Sequence, residues 1–177
     1  SGLGQFLETT LYETGLAIMH PHAANYFMHG TPPQLTGNEH PNLVPYAIFP
    51  TRTDNIFIGV GNDGTFRKLC KEIGKPELGA DPRFARNKDR IANREALRTE
   101  LASVFSQHDA GPLCDRLLAA GLPAGPVQSI DQALASAHSV HRGDVGEKDG
   151  EKGGAAPIRL QRSKSGLRHL PPKFGQQ

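Results

Sequence analysis

Three glycines that follow a run of apolar residues have the spacing of a phosphate-binding loop. The stretch IFIGVGNDGTFRKLC places Gly59, Gly61 and Gly64 in the pattern G-x-G-x-x-G, between a predicted strand and a predicted helix. In dinucleotide-binding folds these glycines let the backbone approach a pyrophosphate, and an acidic residue about 20 positions later binds a ribose hydroxyl. Asp81 lies close to that position. Because the pattern alone is common, the elements around it decide its meaning.

The segment around the glycines predicts an antiparallel hairpin followed by a capped helix. YAIFPTRTDNIFIGVG divides into two short strands, Tyr46–Pro50 and Ile56–Val60, joined by turn-forming residues. The helix predicted for Gly64–Ile73 has Asn62 or Asp63 as its N-cap and a glycine at its end. This arrangement belongs to an antiparallel sheet.

A dinucleotide site also requires a second, parallel strand after the helix. The next stretch, KPELGADPRFARNKDR, is polar and interrupted by proline, and its apolar and polar residues do not alternate as in a strand. Asp81 precedes a proline in a predicted loop. We therefore expect no nicotinamide or flavin nucleotide to bind here. Gly59 is interpreted as a point of close strand packing, and Gly61 as the turn into the helix.

The rest of the chain predicts further helices around this hairpin. A helix over Leu7–His29 carries an apolar band that requires a partner, and amphipathic helices follow from Asn93 to Phe105 and from Asp109 to Gly121. GLPAGPVQS is predicted as a tight connection, leading to a short helix that begins at Ser129 or Asp131. GDVGEKDGEKGGAAP is predicted as a surface loop, and IRLQRS as a strand.

The overall composition excludes several classes of protein. The 20 lysines and arginines nearly balance the 18 acidic residues, without a basic stripe, so no nucleic-acid partner is expected. No apolar run approaches the roughly 20 residues of a membrane span, so no membrane partner is expected. Cys70 and Cys114 lie in predicted amphipathic helices and are interpreted as buried apolar residues, with an activated nucleophile as the alternative. A reducing, cytoplasmic location is expected.

Two further sets of residues have candidate functions, histidines for metal binding and a basic run for binding the phosphates of CoA. His20 and His22 flank a proline and have no third ligand at a recognisable spacing, so no metal is expected. A basic run could contact the phosphates of CoA, although a solvated helix face is the preferred interpretation. The run consists of Arg83, Arg86, Lys88, Arg90 and Arg94.

Six segments occur in a fixed order along nearly the whole chain. They are SGLGQFLETTLYETGLA, GNEHPNLVPYAIFPT, GVGNDGTFRKLC, DPRFARNKDRIANREAL, AAGLPAGPV and PPKFG. Together they resemble class III CoA-transferases, the family of formyl-CoA transferase and carnitine-CoA transferase. Six linked motifs are far more specific than one glycine pattern.

The resemblance implies an α/β protein that combines a Rossmann-like large domain with a small α+β domain of an antiparallel hairpin and several helices. On that template residues 1–36 are a linker from the large domain, residues 37–142 the small domain, and residues 143–177 a return segment. The ends of the sequence predict a fragment, with the catalytic aspartate of the family upstream of the motif at Gly2, Gly4 and Gln5. An interlocked homodimer is also implied.

The implied reaction moves CoA between an acyl-CoA thioester and a carboxylic acid. The aspartate carboxylate attacks the thioester, and a mixed anhydride and then an enzyme–CoA thioester form. The resemblance assigns the catalytic role to no acidic residue of this chain. The CoA thioester is a substrate, and no separate cofactor is expected.

The loop GNEHPN, residues 37–42, takes the place of the glycine-rich loop of formyl-CoA transferase. Its candidate substrate-binding residues are Gly37, Asn38, His40 and Asn42, because amide and imidazole groups can hydrogen-bond an acyl carboxylate or a developing oxyanion. The alternative is a structural turn in which Asn and His tolerate unusual backbone angles. The sequence leaves both open.

Asp63 is the fifth candidate for substrate binding. In the related acyl-CoA racemases a glutamate near this position orients the proton-transfer machinery, whereas a short acidic side chain here also suits a helix N-terminus.

Two other functions of the protein stay open. One is an acyl-CoA racemase-like member of the same superfamily, and the other is a non-catalytic binding or folding module. The acyl donor and acceptor are not determined by these residues.

Overall fold

The computed structural model describes residues 2–156, 158, 160–162 and 175, and it divides the chain into two compact units. The first unit extends to Val127 and the second begins at Gln128. The elements of the first unit are α1 (Leu11–Ala17), α2 (His22–His29), β1 (Tyr46–Pro50), β2 (Asn55–Gly59), α3 (Asp63–Glu72), α4 (Pro76–Ala80), α5 (Asn87–Ala92), α6 (Arg94–Phe105), α7 (Ala110–Ala119) and β3 (Ala124–Pro126).

A three-stranded antiparallel sheet, in the order β1-β2-β3, forms the centre of the first unit. The predicted hairpin is confirmed, with Tyr46 opposite Gly59 and Pro50 opposite Asn55. The third strand was missed: GLPAGPVQS is not only a connection, because Ala124 pairs with Ile58 along the other edge of β2. Since all pairs are antiparallel, the glycine pattern does not lie in a parallel βαβ unit.

The core fills the space between this sheet and helices α3, α6 and α7. Alternation along the strands buries one face of the hairpin, and the helices contribute side chains at helical spacing. Each such large apolar side chain stabilises the fold by about 1.5–3 kcal/mol. Fully buried core residues include Phe49, Ile56, Ile58, Phe66, Leu69, Leu97, Leu101, Phe105 and Leu117.

Helix α3 is bounded as its sequence predicts. The side chain of Asn62 accepts a hydrogen bond of 2.9 Å from the Thr65 amide, which caps the first turn. At the other end Gly74 has a φ of +75°, and the Lys75 amide donates to the Cys70 carbonyl at 2.8 Å. This left-handed position ends the helix because glycine has no Cβ to clash there.

Two glycines of the pattern differ in the space around them. A Cβ on Gly59 would lie 3.3 Å from ring atoms of both Tyr46 and Phe57, which confirms that the strands pack closely at this position. Gly61 has open space around it and no positive φ, so the structure gives no steric reason for glycine there.

Two helices begin where the sequence predicts but lack a side-chain cap. Asn93 and Asp109 stand at the N-cap positions of α6 and α7, but neither side chain caps its helix. The Asn93 amide donates to the carbonyls of Asp89 and Arg83, and Asp109 forms an ion pair with Arg52. Carbonyls that precede α6 and an arginine from a distant part of the chain therefore take the polar side chains at these two helix starts.

The prediction of one helix over residues 7–29 is wrong, because the segment forms α1 and α2 with Pro21 between them. Thr10 and Glu13 make a reciprocal capping box at the start of α1. Neither helix has a buried residue, and the apolar side chains of the band, such as Leu11 and Phe27, are exposed. The stretch KPELGADPRFARNKDR contains α4 and the first part of α5 and no strand.

The second unit contains two short helices and a hairpin. Ser129 starts the predicted helix with a capping box, as α8 (Ile130–Ala135), and α9 (Ala137–Arg142) follows. The predicted surface loop is wrong, since its residues form β4 (Val145–Lys148) and β5 (Glu151–Gly154) around a turn at Asp149 and Gly150. In the predicted strand IRLQRS, the described residues Ile158 and Leu160 lie in no strand, and position 159 lies outside the described residues.

Candidate functional site

The loop of residues 37–42 is a tightly bonded turn between α2 and β1. Gly37 has a φ of +58°, a backbone conformation that disfavours other residues. The Glu39 amide donates to the Thr36 carbonyl at 3.1 Å, and the His40 amide donates to the carbonyl of Tyr46 at 3.0 Å. The loop is thus bonded to the start of the central hairpin.

Two arginines of α6 hold the loop through Glu39. The Glu39 carboxylate accepts from Nη1 of Arg94 at 3.0 Å and from Nη1 of Arg98 at 2.7 Å. Arg94 also donates through Nη2 to the carbonyls of His40 and Pro41. Glu39 is not among the candidates predicted from the sequence, because partners 55 and 59 positions away leave no local signal.

His40 has one ring nitrogen committed to the loop itself. Its Nδ1 accepts a hydrogen bond of 3.0 Å from the Asn42 amide, and its ring meets the Tyr46 ring edge-on at 5.1 Å. An accepting Nδ1 places the proton of the neutral imidazole on Nε2. Within the described part of the chain the His40 ring makes this one hydrogen bond, so Nε2 has no protein partner. Because no buried side-chain nitrogen or oxygen of the described residues lacks a partner, Nε2 of this half-buried histidine is accessible to solvent.

Burial lowers the pKa of the His40 imidazole below its ordinary value of 6.5, and the charges of His22, Arg94 and His20 lower it further. The neutral imidazole is therefore favoured near pH 7. In that form Nδ1 accepts from the backbone and Nε2–H is a donor. The predicted candidate His40 thus has a fixed tautomer and an accessible N–H group.

Asn42 contributes to the structure of the turn. Its side-chain amide makes two reciprocal hydrogen bonds of 3.0 Å with that of Asn25 in α2. Its carbonyl accepts from Asn87, whose Oδ1 in turn accepts from the Val44 amide. The turn interpretation accounts for these contacts, and a substrate contact at Asn42 stays a prediction.

Asn38 lies on an open cleft of about 580 Å³ beside the loop. The cleft brings two of the predicted residues, Gly37 and Asn38, together with residues that the sequence analysis did not select. Its lining is completed by Thr36, Glu39, Ile48, Pro50, Asn55 and Arg98. The loop, the β1–β2 hairpin and α6 therefore share a solvent-accessible surface with amide, hydroxyl, carboxylate and guanidinium groups.

Asp63 contacts a buried arginine. Asn62 is the helix cap, and Oδ1 of Asp63 instead accepts from Nη2 of Arg90 at 2.9 Å. Arg90 is fully buried and also donates to the Phe84 carbonyl at 2.9 Å and to the Val44 carbonyl. Its guanidinium lies 4.5 Å from the Phe66 ring centre. The capping interpretation of Asp63 is therefore replaced by an ion pair, and substrate binding at Asp63 stays a prediction.

The basic run is not a uniformly solvated face. Arg83, Arg86 and Lys88 are exposed, but Arg90 is completely buried and Arg94 is half-buried against the loop. Sequence patterning missed this difference because the partners are backbone carbonyls and carboxylates of distant segments.

Both cysteines are buried free thiols. Burial raises the pKa of the Cys70 thiol to about 12 and raises that of Cys114 as well. Thiols with raised pKa values stay protonated at neutral pH and are poor nucleophiles. The interpretation of the cysteines as buried apolar residues is confirmed.

The described residues contain no group of three or more His, Cys, Asp or Glu side chains suited to a metal ion. His20 and His22 instead lie near His40, where their charges act on its imidazole. Within the same described part of the chain, no helix has the length and apolarity needed to cross a membrane.

The loop and the neighbouring helix α6 thus carry several hydrogen-bond donors. The His40 Nε2–H, the Asn38 amide and the Arg98 guanidinium are donors to a carboxylate or an oxyanion. The ion pairs of Glu39 fix the loop before any ligand binds, so little ordering is needed on binding.

Comparison with known protein families is consistent with this chemistry. The sequence model of CoA-transferase family III matches residues 1–177. Succinate–glutarate CoA-transferase of Agrobacterium fabrum is 32% identical over 181 residues, covering 99% of this chain and 45% of that protein. Acetyl-CoA:oxalate CoA-transferase of Acetobacter aceti is 34% identical over 133 residues, covering 75% and 34%. The chain spans less than half the length of these relatives.

A solved structure has the same fold. A CAIB/BAIF family protein from Brucella suis superimposes with a TM-score of 0.78 and 34% identity, covering 97% of this chain and 46% of that protein. The predicted fold class, with a small α+β domain, is confirmed. The assignment of residues 1–36, 37–142 and 143–177 to linker, small domain and return segment stays a prediction.

Proposed function

The chain belongs to CoA-transferase family III, and on this premise we propose that its loop of residues 37–42 lines the acyl side of a site that moves CoA between an acyl-CoA thioester and a carboxylic acid. The observation that carries the proposal is the fixed tautomer of His40. With Nδ1 accepting from the Asn42 amide, Nε2–H is a donor that reaches solvent. Such a donor stabilises the negative charge that develops on a carbonyl oxygen during acyl transfer.

The proposed reaction proceeds through covalent intermediates. An aspartate carboxylate attacks the thioester carbonyl, the C–S bond breaks, and a mixed anhydride and CoA thiolate form. The thiolate attacks the aspartyl carbonyl, which releases the donor acid and leaves an enzyme–CoA thioester. The acceptor carboxylate then repeats the two steps in reverse and leaves as the new acyl-CoA. No proton is gained or lost overall.

We propose that the nucleophilic aspartate is none of the carboxylates at the loop or at the start of α3. Glu39 is bound by two arginines and Asp63 by the buried Arg90. A carboxylate held in this way is less nucleophilic, because attack would remove charge from its ion pair. This geometry also gives no support to the racemase alternative, because the Asp63 carboxylate is already paired with Arg90.

For the substrates we propose small dicarboxylic acids and their CoA thioesters. Relatives are named for succinate, glutarate and oxalate. The donors of the cleft suit carboxylates, and the CoA thioester is the only coenzyme-like group that the proposal requires. We further propose that the protein is a homodimer and that it is cytoplasmic. Two free buried cysteines are in keeping with a reducing compartment.

The experiment that tests the function uses the natural gene product containing these residues. It is incubated with succinyl-CoA or acetyl-CoA and with glutarate or oxalate, and the thioesters are separated by chromatography. We expect CoA on the acceptor acid. With donor alone we expect one equivalent of donor acid to be released and a mass increase that corresponds to bound CoA. Absence of exchange with every pair would overturn the proposal.

The contribution of His40 is tested in the same protein. His40→Ala should lower kcat/KM about 100-fold, the usual effect of removing one oxyanion donor. His40→Gln, which keeps an N–H group, should recover part of the loss. His138→Ala removes an exposed imidazole in α9 and serves as the matched control. Equal activity of the His40 and His138 variants would show that the loop histidine does not contact the reacting group.

The 177-residue chain by itself is expected to transfer no CoA between carboxylic acids, because the resemblance to the family assigns the nucleophile to no acidic residue of this chain. A pure sample is assayed with the same donors and acceptors, at enzyme concentrations high enough to detect a single turnover. Measurable turnover would mean that a carboxylate of this chain is the nucleophile.

A further inference from the structure

Arg98 is the cation of the open cleft beside the loop. It lies on α6, lines the cleft together with Gly37 and Asn38, and its side chain is 40% exposed. Its guanidinium carbon lies over the Phe49 ring, 5.5 Å from the ring centre. A cation fixed on an aromatic ring at the wall of a cleft can bind an anion without first being ordered.

The two arginines that bind Glu39 differ in their remaining hydrogen-bond capacity. Arg94 uses Nη1 for Glu39 and Nη2 for the carbonyls of His40 and Pro41. Within the described part of the chain Arg98 makes one hydrogen bond, from Nη1 to Glu39 at 2.7 Å. Its Nε–H and Nη2–H groups are therefore available to a ligand.

The charge around the cleft favours an anion. Arg98 and Glu39 line the cleft, and Arg94 pairs with Glu39 from outside the lining, so the three side chains together carry a net charge of about +1. The apolar side chains of Ile48 and Pro50 form part of the lining. A short carbon chain ending in a carboxylate matches this combination of an apolar wall and a planar, two-pronged donor.

We propose that Arg98 binds the non-reacting carboxylate of a dicarboxylic acid substrate in this cleft. The inference rests on the proposed function, and it assigns the specificity for a second carboxylate to a residue that no local motif identifies. Glu39 acts as a positioning residue, because its carboxylate binds Arg98. Glu39 also precedes His40 in the chain, so Arg98 is held at the loop that carries this histidine. The carboxylate that does not react then lies at α6.

The test compares acids of equal length with one or two carboxylates. In the natural gene product, Arg98→Met should raise the KM for glutarate about tenfold, as expected when a charge-assisted hydrogen bond is lost, and change kcat less than twofold. The KM for pentanoate should not change. Arg98→Lys, which keeps the charge, should recover part of the affinity. Arg116→Met is the matched control, because Arg116 lines a separate depression on α7.

Three outcomes decide the inference. A selective rise in the KM for glutarate supports it, whereas equal KM values in the Arg98 and Arg116 variants overturn it and leave the proposed function intact. If Arg98→Met instead abolishes the preference of the enzyme for CoA thioesters over 3′-dephospho-CoA thioesters, the anion is a phosphate of CoA and the inference is wrong.

A binding measurement separates this inference from the proposed function. Glutarate is titrated into the ¹⁵N-labelled 177-residue chain, and the amide signals of Gly37, Asn38 and Arg98 are followed. We expect saturable shifts that Arg98→Met removes and Arg116→Met keeps, even if no CoA transfer is found with any substrate pair. If these amide signals of the unmodified chain do not shift up to millimolar glutarate, the proposed carboxylate site is wrong.

Discussion

Arg90 connects three parts of the first unit through one guanidinium group. It donates to Asp63 at the start of α3, to the carbonyl of Val44 before β1 and to that of Phe84 before α5. A fully buried cation is tolerated only when its donors are paired, and here each nitrogen has a partner. The residue therefore acts as a structural centre, although its sequence context predicted a solvated basic run.

Replacing Arg90 with Met should destabilise the fold by about 3 kcal/mol, because the Asp63 carboxylate and two carbonyls lose their partner. Urea denaturation followed by circular dichroism measures the loss. Arg83→Met is the matched control, because Arg83 also lies over an aromatic ring and pairs with a carboxylate. Arg83 is exposed, so its replacement should change the free energy of unfolding little. Equal effects of the two substitutions would contradict the structural role of Arg90.

The stability of the fold should decrease as the pH falls below about 6.5, the ordinary value for an imidazole, because folding lowers the pKa of His40. The unfolded chain then binds more protons than the folded chain, and protonation also removes the acceptor of the Asn42 amide. Thermal unfolding between pH 7.5 and pH 5 measures the effect. His40→Gln should flatten this dependence, and an unchanged slope in the variant would assign it to other groups.

At the scale of elements, local sequence signals and tertiary contacts agree for α3 and disagree for α1 and α2. Helix α3 has a side-chain cap at Asn62, three buried residues on one face and a left-handed glycine at its end. Helices α1 and α2 have an apolar band at helical spacing but no buried residue. Periodicity therefore predicts that a segment can be amphipathic, but not which partner covers its apolar face.

Gly74→Ala should destabilise the first unit by about 1 kcal/mol, because an alanine at φ +75° brings its Cβ close to the backbone. Gly74→Asn should cost less, since asparagine tolerates the left-handed region better. Chemical denaturation of both variants measures the difference. If alanine and asparagine are equally tolerated, the left-handed end of α3 does not limit stability.

At the scale of the whole molecule, the apolar side chains before and within α1 and α2 form the largest exposed set in the first unit. Leu11 is 94% exposed and Phe27 is 82% exposed, and Leu16, Ile18 and Met19 are also open to solvent. Exposed apolar area is unfavourable by about 25 cal/mol per Å², and patches of several hundred Å² usually mark an interface. Of the apolar residues expected near the C-terminus, Ile158 and Leu160 are exposed, and Phe174 lies outside the described residues.

The 177-residue chain is expected to self-associate through α1 and α2, most simply as a two-fold dimer. Replacing both Leu16 and Phe27 with Asp should yield a monomer whose helical signal is largely kept. Leu118→Asp, on an exposed position of α7, is the control and should not change the mass in solution. Light scattering across micromolar concentrations measures the mass, and a monomeric unmodified chain would show that these side chains need no partner.

The sequence by itself determined the β1–β2 hairpin, the three longer helices of the first unit and the family. Alternation over four or five residues, helical periodicity and glycine ends are local properties, so neighbouring residues encode them. The hairpin β4–β5 also had a local signal, an Asp-Gly turn, but it lacked the alternating apolar residues that make such a turn convincing.

Only the tertiary structure decided the third strand and the partners of the charged residues. Ala124–Pro126 has no strand propensity, and it is a strand because β2 offers an unpaired edge. Glu39 lies 55 and 59 positions from its arginines, and Asp63 lies 27 positions from Arg90. Such pairs leave no periodic trace in a single sequence, because they depend on how distant segments meet in the folded chain.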